Sequence, residues 1–154
     1  MTEVPQSVLI IEARFYDDIV NELVRGAVAE LERLGMTYER IEVPGALEIG
    51  PALSLAIANN IVGEEGRHGG CVALGCVIRG ETSHYDIVAQ SSAQALLDLS
   101  LAHSIAVGNG ILTVDNREQA WARARVDEKN KGRDAATACL SLMALQAGPF
   151  ADEE

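Results

Sequence analysis

The sequence has few cysteines, few aromatic residues and no long apolar run, and each shortage excludes a class of protein. Its three cysteines, Cys71, Cys76 and Cys139, form no CxxC pair, and aromatic residues make up 4% of the 154 residues. We therefore expect reduced thiols, no disulfide framework and no metal site, as in a cytoplasmic protein. No apolar run reaches the about 18 residues of a membrane span, and residues 1–7 lack the basic and apolar segments of a signal peptide.

Positive charge is also scarce. The chain has 12 basic and 23 acidic residues, which gives a formal net charge of −11. An acidic surface of this kind repels phosphate groups, so we expect neither nucleic acid nor an anionic membrane as a partner. An anionic ligand would have to be held by a local group of basic side chains.

The length and the 48% hydrophobic content predict one globular domain over residues 1–154. We expect its core at about residues 7–147 and a frayed acidic tail at 148–154. Strands are predicted at residues 7–13, 37–43, 69–78 and 105–112, and helices at 17–34, 47–62, 83–102, 117–125 and 131–145. This alternation predicts an α/β fold, a three-layer αβα sandwich of flavodoxin-like type with a four-stranded parallel sheet and helices on both faces.

Ligands of open parallel sheets bind beyond the carboxyl ends of the strands, so chemistry-bearing residues should follow each strand. The segments in question are residues 14–16, 43–48, 79–85 and 109–113. In the third segment, Gly80 and Thr82 precede a helix whose first N–H groups would bind phosphate, and His84 could transfer a proton near neutral pH. The residues alone leave open that Thr82 only caps the helix and that His84 is a surface residue. His68 and His103 lie in polar, loop-like positions and carry no predicted role.

Other candidate residues have a structural alternative. For Phe15, the position favours a hydrophobic staple over stacking on a planar heterocycle, and Glu48 could hold ligand hydroxyls or favour the helix dipole. Arg123 and Lys131 could bind phosphate or a polyol, although basic residues on late helices are usually solvated. Cys76 lies in a buried strand without a group that would lower its pKa, so we do not expect a nucleophile there. The chain contains no phosphate-binding loop and no GxGxxG, which predicts a mechanism without nucleotide or metal.

Five motifs in a fixed order carry a resemblance to a known family. They are ARF at residues 13–15, VPGALEI at 43–49, ALGCVIRGETSHYD at 73–86, NGILT at 109–113 and NKGRDAA at 130–136. Over roughly residues 8–145 the chain resembles 6,7-dimethyl-8-ribityllumazine synthase, the penultimate enzyme of riboflavin biosynthesis. The resemblance implies a transferase that condenses 5-amino-6-(D-ribitylamino)uracil with 3,4-dihydroxy-2-butanone 4-phosphate to give the lumazine, phosphate and water. It also implies that no cofactor is needed and that catalysis consists largely of positioning the two substrates.

The resemblance further implies a role for each site residue. Phe15 would stack on the pyrimidine ring, and Glu48 would hold ribityl hydroxyls. His84 would transfer protons, and Arg123 would supply the main positive charge for the phosphate. The remaining substrate contacts would come from Ala46, Leu47, Val77, Ile78, Gly80, Glu81, Thr82, Asn109, Lys131 and Asp134. Within that set, Gly80, Glu81 and Thr82 would cradle the phosphate, and Val77 and Ile78 would read the uracil edge through their backbone.

In the resembled family the site lies between two subunits, so the resemblance implies a homo-oligomer of at least five subunits. Asn109, Arg123 and Lys131 would then come from the neighbouring subunit. Asn109 stands where many relatives have an aromatic residue, and Tyr16 stands where many have Asn. Residues 125–129 lack the glycine found in relatives that build sixty-subunit shells, which favours a free pentamer.

Two other functions fit the same fold. The chain could be a non-catalytic oligomer that binds flavin or lumazine, or a shell protein with a vestigial pocket. His84 and Arg123 argue against both, because a pure binder needs neither a proton-transfer group nor a site for a leaving phosphate.

Overall fold

The computed structural model describes residues 5–150, in which strands and helices alternate along the chain. The strands are β1 (Ser7–Ala13), β2 (Thr37–Val43), β3 (Gly70–Ile78) and β4 (Ala106–Val114). The α-helices are α1 (Asp17–Arg33), α2 (Ile49–Ala58), α3 (His84–His103), α4 (Arg117–Ala124) and α5 (Lys131–Ala147). A 3₁₀ turn at Ala46–Glu48 precedes α2. The end of the predicted acidic tail, residues 151–154, lies outside the described residues, which contain no helix long and apolar enough to cross a membrane.

The four strands form one parallel sheet in the order β2-β1-β3-β4, which confirms the predicted fold class. Side chains of β1 alternate between two cores: Val8 and Ile10 pack towards α1 and α5, and Leu9 and Ile11 pack towards α2 and α3. All four are at most 1% exposed, and each contributes roughly 1.5–3 kcal/mol relative to an exposed side chain. The continuous apolar run of β1 is therefore the signature of a strand covered on both faces.

The bounds of β1 and β2 match the prediction, and most other bounds differ from it by one or two residues. Two of the differences are informative. Helix α2 ends at Ala58 rather than at residue 62, because Asn60 adopts a positive φ of 56° that interrupts the helix before Ile61 and Val62. Strand β4 continues to Val114, so the predicted site segment 109–113 lies inside the strand and does not follow it. The φ of 72° at Gly35, by contrast, matches the predicted end of the first helix.

Helix α5 approaches β4 and α1 closely because two glycines leave room for its backbone. A Cβ atom added to Gly108 of β4 would lie 1.9 Å from the carbonyl oxygen of Ala135. A Cβ added to Gly132 would lie 2.0 Å from the carbonyl oxygen of Leu23. This packing fixes the first turn of α5, with Lys131, beside the edge strand β4.

Candidate active site

A first cleft of about 340 Å³ opens at the carboxyl ends of β1, β2 and β3. It is lined by nine of the predicted site residues, namely Phe15, Ala46, Leu47, Glu48, Val77, Ile78, Gly80, Thr82 and His84. The other lining residues are ones for which no substrate contact was predicted, namely Tyr16, Gly45, Cys76, Tyr85 and Val88. Glu81 is exposed in the turn before α3 and lines neither this cleft nor the second one described below. The expectation that ligand-binding residues follow the carboxyl ends of the strands thus locates most of the predicted residues.

Phe15 projects into solvent at the mouth of the first cleft. Its side chain is 75% exposed, so it does not pack as the hydrophobic staple that its position favours. Its ring meets the ring of Tyr16 edge to face, with centroids 4.9 Å apart and planes at 80°. Tyr16 in turn lies under the guanidinium group of Arg117, 5.8 Å from its ring centroid. The exposed face of Phe15 is consequently free to stack on a planar ligand.

The turn between β2 and α2 forms a second wall of this cleft. The Gly45 N–H group donates to Oε1 of Glu48 at 2.9 Å, which closes the 3₁₀ turn. No described residue hydrogen-bonds the second carboxylate oxygen of Glu48, which is exposed. Glu48 therefore stabilises its own turn and still presents an acceptor for hydroxyl groups.

The third wall is the turn between β3 and α3. The N–H group of His84, the first residue of α3, donates to Oγ1 of Thr82 at 3.2 Å, whereas the N-cap residue Ser83 makes no side-chain cap. The proton of the Thr82 hydroxyl remains available to a ligand. A Cβ added to Gly80 would meet no atom within 4 Å, so the space beside that backbone is open. His84 is exposed and begins the twenty-residue helix α3, where unpaired N–H groups favour an anion.

Arg79 fixes this turn against the end of β4, a role that the sequence did not reveal. Its N–H group donates to the carbonyl oxygen of Val114 at 2.9 Å, and its Nε donates to Asp115 at 3.0 Å. The hydrogen bond to Asp115 raises the pKa of the Arg79 guanidinium. The guanidinium also lies 4.3 Å from the ring centroid of Tyr85. The contacts with Val114 and Asp115 depend on the pairing of β3 with β4, which explains why local sequence could not predict them.

Cys76 lines the first cleft but is not poised as a nucleophile. Its side chain lies among buried residues, and desolvation raises the pKa of the thiol to about 12. The thiol is therefore protonated at neutral pH, as expected for a structural cysteine.

A second cleft of about 320 Å³ lies along β4 and contains the other predicted residues, Asn109, Arg123, Lys131 and Asp134. It shares no lining residue with the first cleft. Strand pairing places Asn109 opposite Ala73, four residues before Val77, or roughly 13 Å along the strand. Within one chain, Asn109 is thus far from the backbone predicted to read the uracil edge.

Arg123 is the most distinctive residue of the second cleft. Every other arginine of the chain pairs with a carboxylate, whereas Arg123 has none within ion-pair distance among residues 5–150. It is half-buried, and its Nη1 donates to the carbonyl oxygen of Gln119 at 3.1 Å. Lys131, in contrast, pairs with Asp134 at 3.6 Å. The guanidinium of Arg123 is thus positioned and available to an external anion.

His68 was predicted as an unremarkable loop histidine, and the structure gives it a buried structural role at the opposite end of the sheet. It is 3% exposed, and its two ring nitrogens contact Oγ of Ser7 and Oε1 of Glu39, each at 2.8 Å. Hydrogen bonds from Arg67 and then His68 lower the pKa of Glu39 to about 2. Across residues 5–150, no group of three or more His, Cys, Asp and Glu side chains is arranged to hold a metal ion.

The fold and the clefts define a class, that of three-layer α/β enzymes with ligand sites at the carboxyl end of an open parallel sheet. A sequence model of the 6,7-dimethyl-8-ribityllumazine synthases matches residues 5–147. The chain belongs to the 6,7-dimethyl-8-ribityllumazine synthase family, which confirms the resemblance seen in the sequence.

Individual relatives agree over nearly the whole chain. A 6,7-dimethyl-8-ribityllumazine synthase of Afipia carboxidovorans is 54% identical over 140 residues, which cover 90% of this chain and 85% of the relative. One of Bartonella henselae is 54% identical over 139 residues, with 90% and 87% covered. The 6,7-dimethyl-8-ribityllumazine synthase 1 of Rhizobium meliloti is 52% identical over 144 residues, with 92% of each chain covered.

Proposed function

We propose that the chain condenses 5-amino-6-(D-ribitylamino)uracil with 3,4-dihydroxy-2-butanone 4-phosphate, at a site that two subunits complete. The product would be 6,7-dimethyl-8-ribityllumazine, the precursor consumed in the last step of riboflavin biosynthesis. One observation carries this proposal beyond family membership. The predicted residues divide between two clefts, one with a ring platform and a proton-transfer group, the other with an unpaired arginine.

The chemistry requires few groups from the protein. The 5-amino group adds to the ketone and releases water, which gives an imine. A proton is then lost from the hydroxyl-bearing carbon next to the imine, and phosphate leaves from the neighbouring carbon. The resulting enol takes up a proton at that neighbouring carbon and becomes a ketone. The ribitylamino nitrogen finally closes the ring on the newly formed carbonyl and releases a second water. The protein has to position the two substrates and to transfer protons.

The residues of the first cleft can perform both tasks. Phe15 would hold the pyrimidine ring by stacking, and the free carboxylate oxygen of Glu48 would accept hydrogen bonds from the ribityl chain. His84 would move the protons, because its imidazole is exposed and lines the cleft in which the substrates would react. The N-terminus of α3 and the hydroxyl of Thr82 would receive the phosphate.

The residues of the second cleft would serve the neighbouring subunit. Arg123 would complete the phosphate site, and Asn109 and Lys131 would face the pyrimidine and the ribityl chain. Leu55 on α2 and Leu97 and Leu101 on α3 are 66%, 53% and 72% exposed, as is typical of a surface that another subunit covers. We propose a homopentamer with one site at each interface.

We also propose that the protein is a single domain that works in the cytoplasm. Free and buried cysteines, Cys71, Cys76 and Cys139, fit a reducing compartment.

A mixing assay tests the reaction itself. Purified protein is added to the two substrates, and lumazine absorbance and fluorescence are followed against a protein-free control, because the substrates also react slowly unaided. We expect a clear acceleration that disappears when the butanone phosphate is omitted. Tight binding of lumazine or flavin without acceleration would indicate a binding protein on this fold.

A hybrid assay tests the shared site. The His84→Ala and Arg123→Ala variants are prepared separately and by coexpression, so that mixed rings form. If each site takes one cleft from each of two subunits, about a quarter of the sites in random mixed rings should be intact. Recovery of activity in the mixed sample, but in neither variant alone, is the expected result. No recovery, with mixed rings demonstrated by native mass spectrometry, would place the whole site within one chain.

A further inference from the structure

An ion-pair network with a buried carboxylate lies at the end of β1, just before Phe15 enters the first cleft. The carboxylate of Glu12, near the end of β1, is fully buried. Nε of Arg40 donates to its Oε2 at 2.5 Å, and Nη2 of Arg40 donates to its Oε1 at 3.0 Å. Nη1 of Arg14 donates to Oε1 at 3.1 Å. A buried carboxylate persists only where such partners replace its water, so the position of Glu12 dictates where both guanidinium groups lie.

Arg14 joins three elements at the point where the chain enters the cleft. Its guanidinium contacts Glu12 of β1, Asp17 of α1 through Nε at 2.7 Å, and Asn21 of α1 through Nη2. Its backbone N–H group donates to the carbonyl oxygen of Val43, the last residue of β2, at 3.0 Å. Only 17% of the Arg14 side chain is exposed. Arg40 shares Glu12 but makes no described contact with α1.

The side chain of Phe15, the residue after Arg14, makes few contacts that would hold it in place. Its side chain is 75% exposed and has only the edge contact with Tyr16 as a ring partner among the described residues. The place of its ring therefore depends on the backbone on either side. The Arg14 backbone N–H group holds this backbone to β2, and the Arg14 side chain holds it to Glu12 and α1. Stacking and catalysis by proximity are sensitive to displacements of about 1 Å. A shift of the Phe15 ring after loss of the Arg14 contacts should therefore impair use of the pyrimidine substrate.

We propose that Arg14, oriented by the buried Glu12, is a positioning residue that holds the Phe15 ring where it receives the pyrimidine substrate. This inference rests on the proposed function for the identity of that substrate. Glu12, Arg14 and Arg40 do not line the first cleft, so the network would act on the substrate only through Phe15. Its loss should weaken the use of the ribitylaminouracil and spare the use of the butanone phosphate.

The test compares Arg14→Gln with Arg40→Gln. Each variant leaves Glu12 with one arginine, but only the first releases the turn that carries Phe15. We expect Arg14→Gln to raise KM for the ribitylaminouracil about tenfold, with KM for the butanone phosphate unchanged, and Arg40→Gln to change neither. Arg14→Lys should restore part of the loss, because a lysine can still reach one carboxylate. Thermal unfolding of both variants controls for general destabilisation.

A double-variant cycle asks whether Arg14 acts through Phe15. Arg14→Gln added to Phe15→Ala should raise KM for the ribitylaminouracil by much less than it does in the wild type. Equal effects in both backgrounds, or equal effects of the Arg14 and Arg40 variants, would overturn the inference.

Hydrogen exchange separates this inference from the proposed function. Peptides covering residues 14–20 should exchange faster in Arg14→Gln than in Arg40→Gln, whatever reaction the protein catalyses. Faster exchange together with a wild-type protein that does not accelerate the condensation would reject the function and keep the positioning role. Wild-type acceleration with unchanged exchange in Arg14→Gln would reject the positioning role alone.

Discussion

The two clefts have similar volumes, about 340 and 320 Å³, yet they are built from different parts of the fold. The first gathers the carboxyl ends of β1, β2 and β3, where a parallel sheet brings consecutive loops together. The second runs along the edge strand β4 and is also lined by side chains of α4 and α5. The walls of a cleft at the strand ends all come from one chain. A cleft along the open edge of a sheet is bounded on one side only and faces any molecule that packs against that edge.

This difference assigns different chemistry to the two clefts, and variants can separate them. The first cleft holds His84 at the start of α3, and the second holds the unpaired Arg123. If the division is correct, loss of the His84 imidazole from the first cleft should lower kcat, and loss of the Arg123 guanidinium from the second should raise KM for the phosphate-bearing substrate.

The largest effect is expected from His84→Ala. Loss of the proton-transfer group should lower kcat roughly 10²-fold, at the lower end for general acid–base catalysis because positioning remains. Steady-state kinetics and the oligomeric mass of the variant are the measurements, and assembly should be intact. His103→Ala, at the exposed far end of the same helix, is the matched control. Full activity of His84→Ala would remove the proton-transfer role from this residue.

The next largest effect is expected from Arg123→Ala. A charge-assisted contact to phosphate contributes roughly 1.5–3 kcal/mol, so KM for the butanone phosphate should rise about 10- to 100-fold. KM for the ribitylaminouracil should change little. Arg125→Ala is the control, because Arg125 is exposed, two residues away and paired with Glu128 at 3.6 Å. If both substrates lost affinity equally, Arg123 would be supporting the cleft rather than binding the anion.

The same contrast explains what the sequence could predict. The β1 bounds and most residues of the first cleft follow from local patterns, namely an apolar run followed by a turn. The position of Asn109 follows from its pairing with Ala73, which no local pattern encodes. The end of α2 was misjudged because the apolar residues Ile61 and Val62 continue its period beyond Asn60. Long-range pairing, and not residue type, limits the prediction.

A smaller effect is expected at the opposite end of the sheet, where Glu39 contacts Arg67 and His68. Its pKa is about 2 in the folded state against an ordinary value of 4.5. The contact therefore stabilises the fold above about pH 4.5, and this stabilisation is lost as the pH falls towards 2. Because 42% of the side chain is exposed, we expect about 1 kcal/mol or less.

Glu39→Gln tests this expectation without touching either cleft. Its deficit in the free energy of unfolding should be present at pH 6 and should shrink as the pH is lowered to 3, measured by denaturant titration. Glu65→Gln provides the control, since Glu65 is exposed and has no ion pair among residues 5–150. A deficit that does not depend on pH would mean that the carboxylate charge is not what stabilises this end. Turnover at pH 7 should be unchanged.

The smallest effect is expected from Cys76→Ala, although Cys76 lies in the wall of the first cleft. Burial raises the pKa of its thiol to about 12, so no thiolate is available for chemistry at neutral pH. We expect kcat within about twofold of the wild type and an unchanged pH profile, because the thiol only fills space. Cys71→Ala is the control, since Cys71 is also buried on β3 but lines neither cleft. A fall in kcat specific to Cys76→Ala would show that the thiol takes part in the reaction. The assignment of the chemistry to His84 and Arg123 alone would then be incomplete.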